Sequence, residues 1–379
     1  MIRAFSKEDV LVRGSWSGSP SRKLTILCPK QWGHHIDSYK MALFFQREYT
    51  VTYLCWDHGF KRVPAEAVNV IYVSRSGSLL ARNLRYLRTA YRHLNRVRPE
   101  ICFIKYFVGC SITKLAAANV GYILDVRTGS VHQDGIRRRL YDSIIKLESL
   151  MFRNITVISE ALGRRLGLEN RSTVLPLGSD IKSADRKTFE SIRLLYVGTL
   201  NNRNISETIK GIARFRDRHG KNIVRRYTIV GDGREYQLLK EQIKAHRLQR
   251  VVTLKGRVPY CELKSLLDSH NVGVSFVPMT HYYDCQPVGK TFDYLLSGLV
   301  VIATGTSENR KVIQGSNGVC IADSADSFAD GLYQVWQRRK QYDSDQIRRS
   351  VGEYSWDNIY KEFGAYLDRM IPGTIEGRA

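Results

Sequence analysis

Short apolar runs alternate with amphipathic stretches along almost the whole chain. Residues 24–28, 68–73 and 101–107 are apolar and rich in β-branched or aromatic side chains. The stretches between them, about 37–48 and 79–98, have the periodicity of helices. Strands that alternate with helices in this way are typical of a parallel sheet that helices cover on both faces. The pattern therefore predicts an α/β fold.

The alternation stops once, in the polar segment 179–191, and then starts again with an apolar run at 193–197. Two consecutive halves of similar size predict two Rossmann-like doubly wound domains. Ligands bind such sheets at the carboxyl ends of the strands, so a cleft between the domains is the expected site. We predict a flexible N-terminal arm (1–22), an N-terminal domain (23–178), a linker (179–191), a C-terminal domain (192–355), a helix that crosses back to the N-terminal domain (356–371) and a vector-derived tail (372–379).

Composition narrows the class of protein. The 379 residues are 43% hydrophobic and 25% charged, which is a globular composition. The sequence contains no run of eighteen apolar residues, so it predicts no membrane span. The first 23 residues lack the apolar segment of a secretory signal. The seven cysteines are scattered and form no C-x-x-C pair. A reducing compartment, the cytoplasm, is therefore expected.

The net charge is +23, and most of it belongs to the first half of the chain. Residues 1–178 contain 28 Lys and Arg against 13 Asp and Glu, while the remainder contains 31 against 23. A field of this sign attracts phosphate-rich partners. Nucleic acid, an anionic membrane surface and a soluble anionic substrate all fit this charge.

The segment 282–309, YYDCQPVGKTFDYLLSGLVVIATGTSEN, combines a loop, a helix and a buried strand. Pro287 and Gly289 are typical of the loop, and the apolar run 299–304 is typical of a strand covered on both faces. The unpaired N–H groups at a helix start favour phosphate, and Lys290 would add a cation. Asp293, one turn further, would place a carboxylate near hydroxyl groups. Phosphate beside hydroxyls indicates a nucleotide sugar.

The same residues carry a family resemblance. The pattern P-x-x-K-x-F-[DE]-Y-L-x-x-G-x-x-V-I-A-T resembles the donor-site signature of retaining glycosyltransferases of family 4, which have the GT-B fold. The resemblance covers about residues 24–370 and is strongest over 197–318. In that family two glutamates lie eight residues apart, and the second binds the ribose hydroxyls. Asp293 stands at the second position, whereas Cys285 stands at the first, with Asp284 as the nearest carboxylate.

The resemblance also implies which residues form the site. Thr199 and Arg203 lie in the turn that would hold the diphosphate, Gly33 in a loop that would cover it, and Arg257 where the family's backbone meets the base. Arg203 and Arg257 are equally compatible with surface arginines. His132 is expected near the donor sugar, where a structural histidine is the alternative, and Asp284 is the second catalytic candidate. The implied donor-binding residues are Gly33, Thr199, Arg203, Arg257, Gln286, Val288, Gly289, Lys290 and Asp293.

The sequence offers no dedicated nucleophile, and it does not require a metal or other cofactor. G-x-S-x-G, H-E-x-x-H and P-loop patterns are absent, and the D-x-D at 343–345 lies in a charged segment. We expect Lys290, Arg203 and helix N-termini to meet the phosphate charge without a metal. The resemblance implies a retaining transfer in which the departing diphosphate helps to deprotonate the acceptor hydroxyl.

The predicted helix 79–98 has two contrasting faces. Leucines and a tyrosine repeat at helical spacing on one side, and five arginines lie on the other. We expect the apolar stripe to pack on the core and the arginines, with Arg137–Arg139, to contact anionic headgroups without insertion. The alternative is an ordinary solvated face. The stripe is Leu80, Leu84, Leu87, Tyr91 and Leu94.

Together these features predict a glycosyltransferase that moves a sugar from a nucleotide-sugar donor, with retention, to a saccharide or lipid-linked acceptor. The expected setting is bacterial surface polysaccharide or lipopolysaccharide biosynthesis at the inner face of the cytoplasmic membrane. A nucleotide-sugar epimerase of the same fold is the first alternative. A nucleic-acid-binding protein is a weaker one, because no aromatic-basic RNA motif is present, and no nucleic-acid partner is expected.

Overall fold

The computed structural model describes residues 22–65, 67–130, 132, 134–259 and 262–370. The predicted tail 372–379 lies outside these residues, as does all of the predicted arm except Arg22. The chain divides into two compact units, residues 1–176 with 356–379, and residues 177–355. Each unit is built on one parallel sheet, which confirms the predicted α/β fold with two doubly wound sheets.

The first unit contains a seven-stranded sheet in the order β3-β2-β1-β4-β5-β6-β7. Its strands are β1 (Arg22–Leu27), β2 (Tyr49–Asp57), β3 (Val68–Ser74), β4 (Ile101–Lys105), β5 (Gly121–Val126), β6 (Asn154–Val157) and β7 (Ser172–Val174). Its helices are α1 (Ile36–Phe45), α2 (Leu79–Val97), α3 (Gly135–Ser149), α4 (Glu160–Leu166) and a 3-10 helix (Cys110–Ala116). The strand order reverses between β1 and β4, where a doubly wound sheet opens a crevice for ligands.

The second unit contains a six-stranded sheet in the order β10-β9-β8-β11-β12-β13. Its strands are β8 (Ile192–Val197), β9 (Val224–Val230), β10 (Val252–Gly256), β11 (Val272–Ser275), β12 (Val300–Thr304) and β13 (Gly318–Ile321). Its helices are α5 (Ser206–His219), α6 (Tyr236–Ala245), α7 (Leu263–Ser269), α8 (His281–Asp284), α9 (Gly289–Leu296), α10 (Ser307–Val312), α11 (Ala325–Gln337) and α12 (Ser344–Arg349). The order reverses here between β8 and β11.

The polar segment 179–191, predicted to be a linker, packs within the second unit. Ser183 and Lys187 are buried, and the Lys187 ammonium donates to the Ser183 hydroxyl at 2.8 Å. The N–H of Lys187 also donates to Ser344 Oγ at 2.9 Å, which ties the segment to α12. These contacts make the segment part of the second unit, although its polar sequence is typical of a linker.

The last helix, α13 (Trp356–Met370), belongs to the first unit. Its apolar side, which includes Phe363, is buried, and the Tyr360 hydroxyl donates to the carbonyl of Asp37 in α1 at 2.6 Å. Arg22 at the start of β1 pairs with Asp368 at 2.9 Å. The first unit is therefore completed by the C-terminal end of the chain.

Helix α2 turns a different face to the sheet from the one its leucines predict. Its N-terminus is capped by Ser78, and it ends at Arg98 in the left-handed conformation. The Tyr86 hydroxyl donates to the carbonyl of Leu54 at 3.1 Å, and these contacts fix the orientation of the helix. The prediction that the apolar stripe packs on the core is therefore wrong for three of its five residues, while Leu94 is buried and Leu87 is half-buried. The buried positions are Tyr86, Ala90, His93 and Leu94, whereas Leu80, Leu84 and Tyr91 are exposed.

Candidate active site

A cavity of about 220 Å³ opens in the second unit where the strand order reverses, after the carboxyl ends of β8 and β11. Nine of its ten lining residues come from the turn after β8 or from the segment that runs from α8 to the first turn of α9. The lining residues are Gly198, Thr199, Arg203, Val277, Tyr283, Gln286, Pro287, Val288, Gly289 and Lys290. Six of the nine predicted donor-binding residues therefore share one cavity. They are Thr199, Arg203, Gln286, Val288, Gly289 and Lys290.

Two glycines let the turns after β8 and β9 come together beside this cavity. A Cβ at Gly231 would overlap the carbonyl oxygen of Gly198. A Cβ at Gly198 would lie 2.8 Å from the Lys290 ammonium. A side chain at Gly231 would therefore push the two turns apart, whereas one at Gly198 would displace the Lys290 ammonium from the cavity.

Lys290 lies at the start of α9 and is enclosed by the second unit. Its ammonium lies 3.8 Å from the centre of the Tyr196 ring, a cation–π contact. Burial, with the nearby Arg203 guanidinium, holds the pKa of Lys290 well below its usual value. No side chain caps α9 at its N-terminus, so the first-turn N–H groups add a partial positive charge to the same cavity.

Arg203 supplies the second cation of the cavity. Its guanidinium stacks on the Tyr283 ring at 4.7 Å. The Nη1 atom is buried and has no hydrogen-bond partner among the residues that the structure describes. A buried, unpaired guanidinium nitrogen is costly, so an arginine held in this way is ready for an anion. Arg203 is therefore a cavity residue rather than a solvated surface arginine.

The loop that carries Arg203 is held by Glu235, a residue for which no role is predicted from the sequence. The Glu235 carboxylate accepts the backbone N–H groups of Arg203 at 2.7 Å, Asn204 at 3.2 Å and Ile205 at 3.0 Å. Asn204 is in the left-handed conformation, which asparagine tolerates better than most residues. Glu235 thus positions Arg203. In the sequence, the only sign of such a cap is the short loop that precedes α5.

Helix α9 is anchored to the sheet by its polar residues. The Tyr294 hydroxyl accepts the N–H of Val197 at 2.8 Å, and its ring lies where a Cβ at Gly273 would clash. The buried Thr291 hydroxyl bonds Ser275 Oγ at 2.7 Å and donates to Asn309 Oδ1 at 3.0 Å. These contacts fix the start of α9, and with it Lys290, against the ends of the strands.

Asp293, the predicted ribose ligand, lies one turn into α9 and is engaged within the second unit. Its Oδ1 accepts from the Ser179 hydroxyl and forms an ion pair with the Lys182 ammonium. About 38% of its side chain remains exposed. The carboxylate is thus held in place by two donors while part of it still faces solvent.

The remaining predicted residues of the second unit lie outside the cavity. The Asp284 carboxylate accepts hydrogen bonds from the N–H of Ser307, at 2.8 Å, and from the Ser307 hydroxyl. Asp284 therefore joins α8 to the start of α10. The Arg257 side chain is 61% exposed and pairs with Asp232 at 3.3 Å. Both side chains have clear structural partners, and neither lines the cavity.

The predicted residues of the first unit lie in two different loops. Gly33 follows β1 with φ 78°, and a Cβ there would clash with Val63, so this turn requires glycine. His132 is exposed in the loop before α3, where its Nδ1 accepts the N–H of Asp134 at 3.1 Å. His132 therefore acts in this structure as a loop residue whose side chain accepts a hydrogen bond from the backbone of Asp134.

A buried charged cluster lies at the carboxyl ends of β1, β4 and β5. The sequence did not predict that its residues meet. Arg127 donates to Asp37 Oδ2 at 2.8 and 3.0 Å and lies 3.6 Å from Asp125. The Lys105 ammonium contacts the His35 ring. Burial, with Lys105, lowers the pKa of His35 to about 3, and burial also lowers the pKa of Lys105. A polar site thus occupies the switch point of the first sheet.

Comparison with known protein families identifies one match in the second unit. Residues 191–338 match the family model described as glycosyl transferases group 1. The matched range contains the whole cavity described above. Comparison with curated protein sequences finds no significant match.

Solved structures with the same fold cover nearly the whole chain. A glycosyltransferase from Rickettsia africae is 10% identical, with a TM-score of 0.70, over 93% of this chain and 99% of its own. Anabaena HepE in complex with UDP and glucose is 11% identical, with a TM-score of 0.71, over 92% and 100%. The lipopolysaccharide outer core galactosyltransferase WaaB is 12% identical, with a TM-score of 0.68, over 90% and 98%.

The fold and the family match define the class of protein. At these identities the structural likeness establishes the fold, which is the GT-B fold of glycosyltransferases, as predicted. Residues 191–338 match the glycosyl transferases group 1 model. This match confirms the prediction that the chain is an enzyme of the glycosyltransferase class.

Proposed function

We propose that this glycosyltransferase takes its sugar from a nucleoside-diphosphate sugar bound in the second unit. The observation that carries the proposal is the buried, unpaired Nη1 of Arg203 beside the Lys290 ammonium. The two cations and the N-terminus of α9 converge on one cavity and form a site for a diphosphate. HepE, which shares the fold, has been solved with UDP and glucose, and this supports a nucleotide-sugar donor.

The same residues suit the departing diphosphate. When the bond between the anomeric carbon and the phosphate oxygen breaks, negative charge develops on that oxygen. Fixed cations at Arg203 and Lys290 would stabilise this charge more in the transition state than in the ground state. The acceptor hydroxyl forms the new glycosidic bond, and its proton passes to the diphosphate oxygen. We propose retention at the anomeric carbon and no requirement for a metal.

We further propose a saccharide or lipid-linked acceptor in bacterial surface polysaccharide or lipopolysaccharide assembly, with the first unit as the acceptor domain. WaaB, of the same fold, is a lipopolysaccharide outer core galactosyltransferase, which supports this setting. The cluster of His35, Lys105 and Arg127 gives the first unit polar groups at its sheet's switch point. Such groups suit a hydroxyl-rich ligand.

A thermal-shift panel of UDP, GDP, dTDP and ADP tests the donor site. One diphosphate should raise the melting temperature, because a ligand at one hundred times its Kd adds about 2.7 kcal/mol of stability. The matching nucleosides should have much smaller effects. If no nucleoside diphosphate shifts the melting temperature, the proposed donor site is wrong.

Assays with the nucleotide sugar that matches the preferred base then separate the candidate functions. A transferase releases the nucleoside diphosphate and an α- or β-linked product whose anomeric configuration, read by NMR, matches the donor. An epimerase releases a free epimer without an acceptor, and a nucleic-acid-binding protein instead retains DNA in a salt-dependent way. Turnover that is unchanged by EDTA would support transfer without a metal.

A further inference from the structure

The first unit carries an apolar surface that its fold leaves uncovered. Of the eighteen exposed large hydrophobic residues among the described part of the chain, thirteen lie between positions 79 and 151. Soluble monomers rarely expose so many apolar side chains on adjoining elements unless the surface meets a partner. We call this set the 79–151 surface. It comprises Leu79, Leu80, Leu84, Tyr91, Val108, Ile112, Leu115, Ile136, Leu140, Tyr141, Leu147, Leu150 and Met151.

Helix α3 shows that the exposure is a property of the fold and not of a few stray side chains. Ile136, Leu140 and Leu147 follow the spacing i, i+4, i+11, which places them on one side of the helix. All three are more than 60% exposed. The positions that the helix buries are Ile145 and Ser149, on the opposite side. The more apolar side of α3 thus faces away from the core.

Contacts on both sides of the 3-10 helix Cys110–Ala116 join α2 to α3. Its N-terminal Gly109 lies beside the Leu87 side chain of α2, with a built Cβ 3.7 Å from Leu87 Cδ1. The N–H of Gly109 and the hydroxyl of Ser111 donate to Glu148 of α3 at 2.8 and 3.1 Å. Lys114 donates to the carbonyl of Met151, just after α3. The three elements therefore present adjoining parts of one surface.

Charge identifies the partner that fits this surface. Helix α2 contains five arginines and no carboxylate, and across α2, the 3-10 helix and α3 ten Lys and Arg stand against Asp142 and Glu148. Both carboxylates are engaged internally, Asp142 with Arg165 at 2.7 Å and Glu148 with Gly109. Apolar side chains flanked by positively charged side chains match an anionic lipid interface. A second copy would instead bring two cationic faces together.

We propose that the 79–151 surface docks this protein on an anionic lipid bilayer, with its exposed leucines and isoleucines entering the headgroup and acyl boundary. The arginines of α2 and α3 pair with lipid phosphates around the inserted side chains. No described helix has the length and apolar composition to cross a bilayer, so the protein lies on the surface. The proposal differs from a purely electrostatic contact, because exposed apolar side chains such as Leu80, Leu84 and Leu140 are free to insert. It does not depend on the proposed glycosyl transfer.

Co-sedimentation with vesicles tests the docking. Vesicles of phosphatidylglycerol and phosphatidylcholine should bind the full chain, and vesicles of phosphatidylcholine alone should bind it much more weakly. Arg88→Glu with Arg92→Glu should lower the partition coefficient about tenfold or more. Arg85 is left unchanged, because it holds the carbonyls of Ser74 and Ser76 at 3.0 Å. Leu80→Ser with Leu140→Ser should lower the partition coefficient by a comparable factor. Raising the salt concentration for the wild-type protein should not reproduce this loss of apolar contact.

Helix α6 of the second unit offers matched controls. Lys240 and Lys244 are exposed cations, and Leu238 is an exposed leucine, 44% accessible. Lys240→Glu with Lys244→Glu, and Leu238→Ser, should leave vesicle binding unchanged. If the α6 changes weaken binding as much as the α2 and α3 changes, general surface charge explains the binding and the proposal fails.

A fluorescence reporter tests insertion separately from attraction. Tryptophan introduced by Leu140→Trp should be quenched by brominated acyl chains in anionic vesicles, relative to the wild-type background, and Leu238→Trp should not. Binding without quenching at position 140 would restrict the contact to the headgroups and overturn insertion. Equal binding to neutral and anionic vesicles would overturn the lipid assignment. The lipid assignment would also be overturned if the leucine variants lost a dimer but kept their vesicle binding.

Discussion

At the scale of single residues, the proposed donor site depends on cations that have no carboxylate partner among the residues lining the cavity. Lys290 contacts an aromatic ring and Arg203 stacks on another, while Nη1 of Arg203 stays unpaired. Aromatic faces hold a cation in place without neutralising it. The two side chains are therefore positioned in advance for phosphate.

Lys290→Ala should weaken nucleoside-diphosphate binding far more than nucleoside binding. A charge-assisted contact to phosphate is worth roughly 1.5–3 kcal/mol, and the nucleoside lacks this contact. Calorimetry with the preferred diphosphate and its nucleoside measures the difference. Lys244→Ala, an exposed lysine of α6, serves as the control and should change neither affinity. Equal losses for the two ligands in Lys290→Ala would contradict the assignment.

Asp293 allows two roles to be separated, because it pairs with Lys182 and is partly exposed. As a ribose ligand, Asp293→Ala should lose affinity for the nucleoside as well as the diphosphate, and Asp293→Glu should restore part of it. Lys182→Met should then retain most of the affinity. If Lys182→Met is as damaging as Asp293→Ala, the carboxylate acts by holding the segment 179–191 instead. Calorimetry on the three variants decides between the roles.

At the scale of elements, the site is a meeting of three turns. The turns after β8 and β9 touch through glycines, and the start of α9 is anchored between β8 and β11 by Tyr294 and Thr291. Glu235 closes the arrangement by capping the loop of Arg203. Because each turn positions the next, the cavity depends on backbone approach as much as on its charged side chains.

Gly231→Ala should therefore damage both stability and the site. The added methyl group overlaps the Gly198 carbonyl, and overpacking of this kind costs about 1–3 kcal/mol. Urea unfolding should show the loss, and the thermal shift by nucleoside diphosphate should shrink. Gly352→Ala provides the control, because a Cβ at this position would have only its chain neighbours within 4 Å. A Gly231→Ala protein with unchanged stability and binding would show that the turns separate without cost.

At the scale of the whole molecule, the excess positive charge has two distinct uses in our interpretation. In the second unit, cations gather in a small cavity that fits a diphosphate. In the first unit, they surround the 79–151 surface, where they lie among exposed apolar residues. The same net charge of +23 thus serves a soluble anionic ligand and an anionic surface.

Stability should fall as the pH is lowered from about 6.5, because buried histidines stay neutral in the folded protein. Burial, with Arg226 and Arg193, lowers the pKa of His270 to about 4 although the Leu266 carbonyl opposes this. Between about pH 6.5 and 4 the unfolded chain binds a proton that the folded chain does not, so this histidine costs about 2 kcal/mol at pH 5.

Urea unfolding at pH 7.5 and 5.0 measures this dependence. His270→Gln should make the loss on acidification smaller by about 2 kcal/mol, whatever its effect at pH 7.5. His246→Gln, at an exposed position, is the matched control and should keep the wild-type dependence. An unchanged pH dependence in His270→Gln would show that His270 is protonated in the folded state.

The sequence by itself determined the fold class and named most of the residues that line the cavity of the second unit. Alternating apolar runs and helical stretches fix two doubly wound sheets, because strand and helix periods are local properties. The segment 282–309 likewise contains its own loop, helix start and buried strand, so Lys290 was placed correctly at the first turn of α9. Local patterns succeeded where the parts of the site are neighbours in the chain.

Tertiary structure alone decided which side chains meet across the fold. The leucines of α2 predict a core face, yet the sheet receives Tyr86 and His93 because their hydrogen bonds to Leu54 and Thr25 set the helix's rotation. Glu235 caps a loop some thirty residues away, and Lys105 meets His35 across two strands. A helical period offers several possible buried faces, and only the neighbouring elements select one. For the same reason the sequence alone could not show the 79–151 surface.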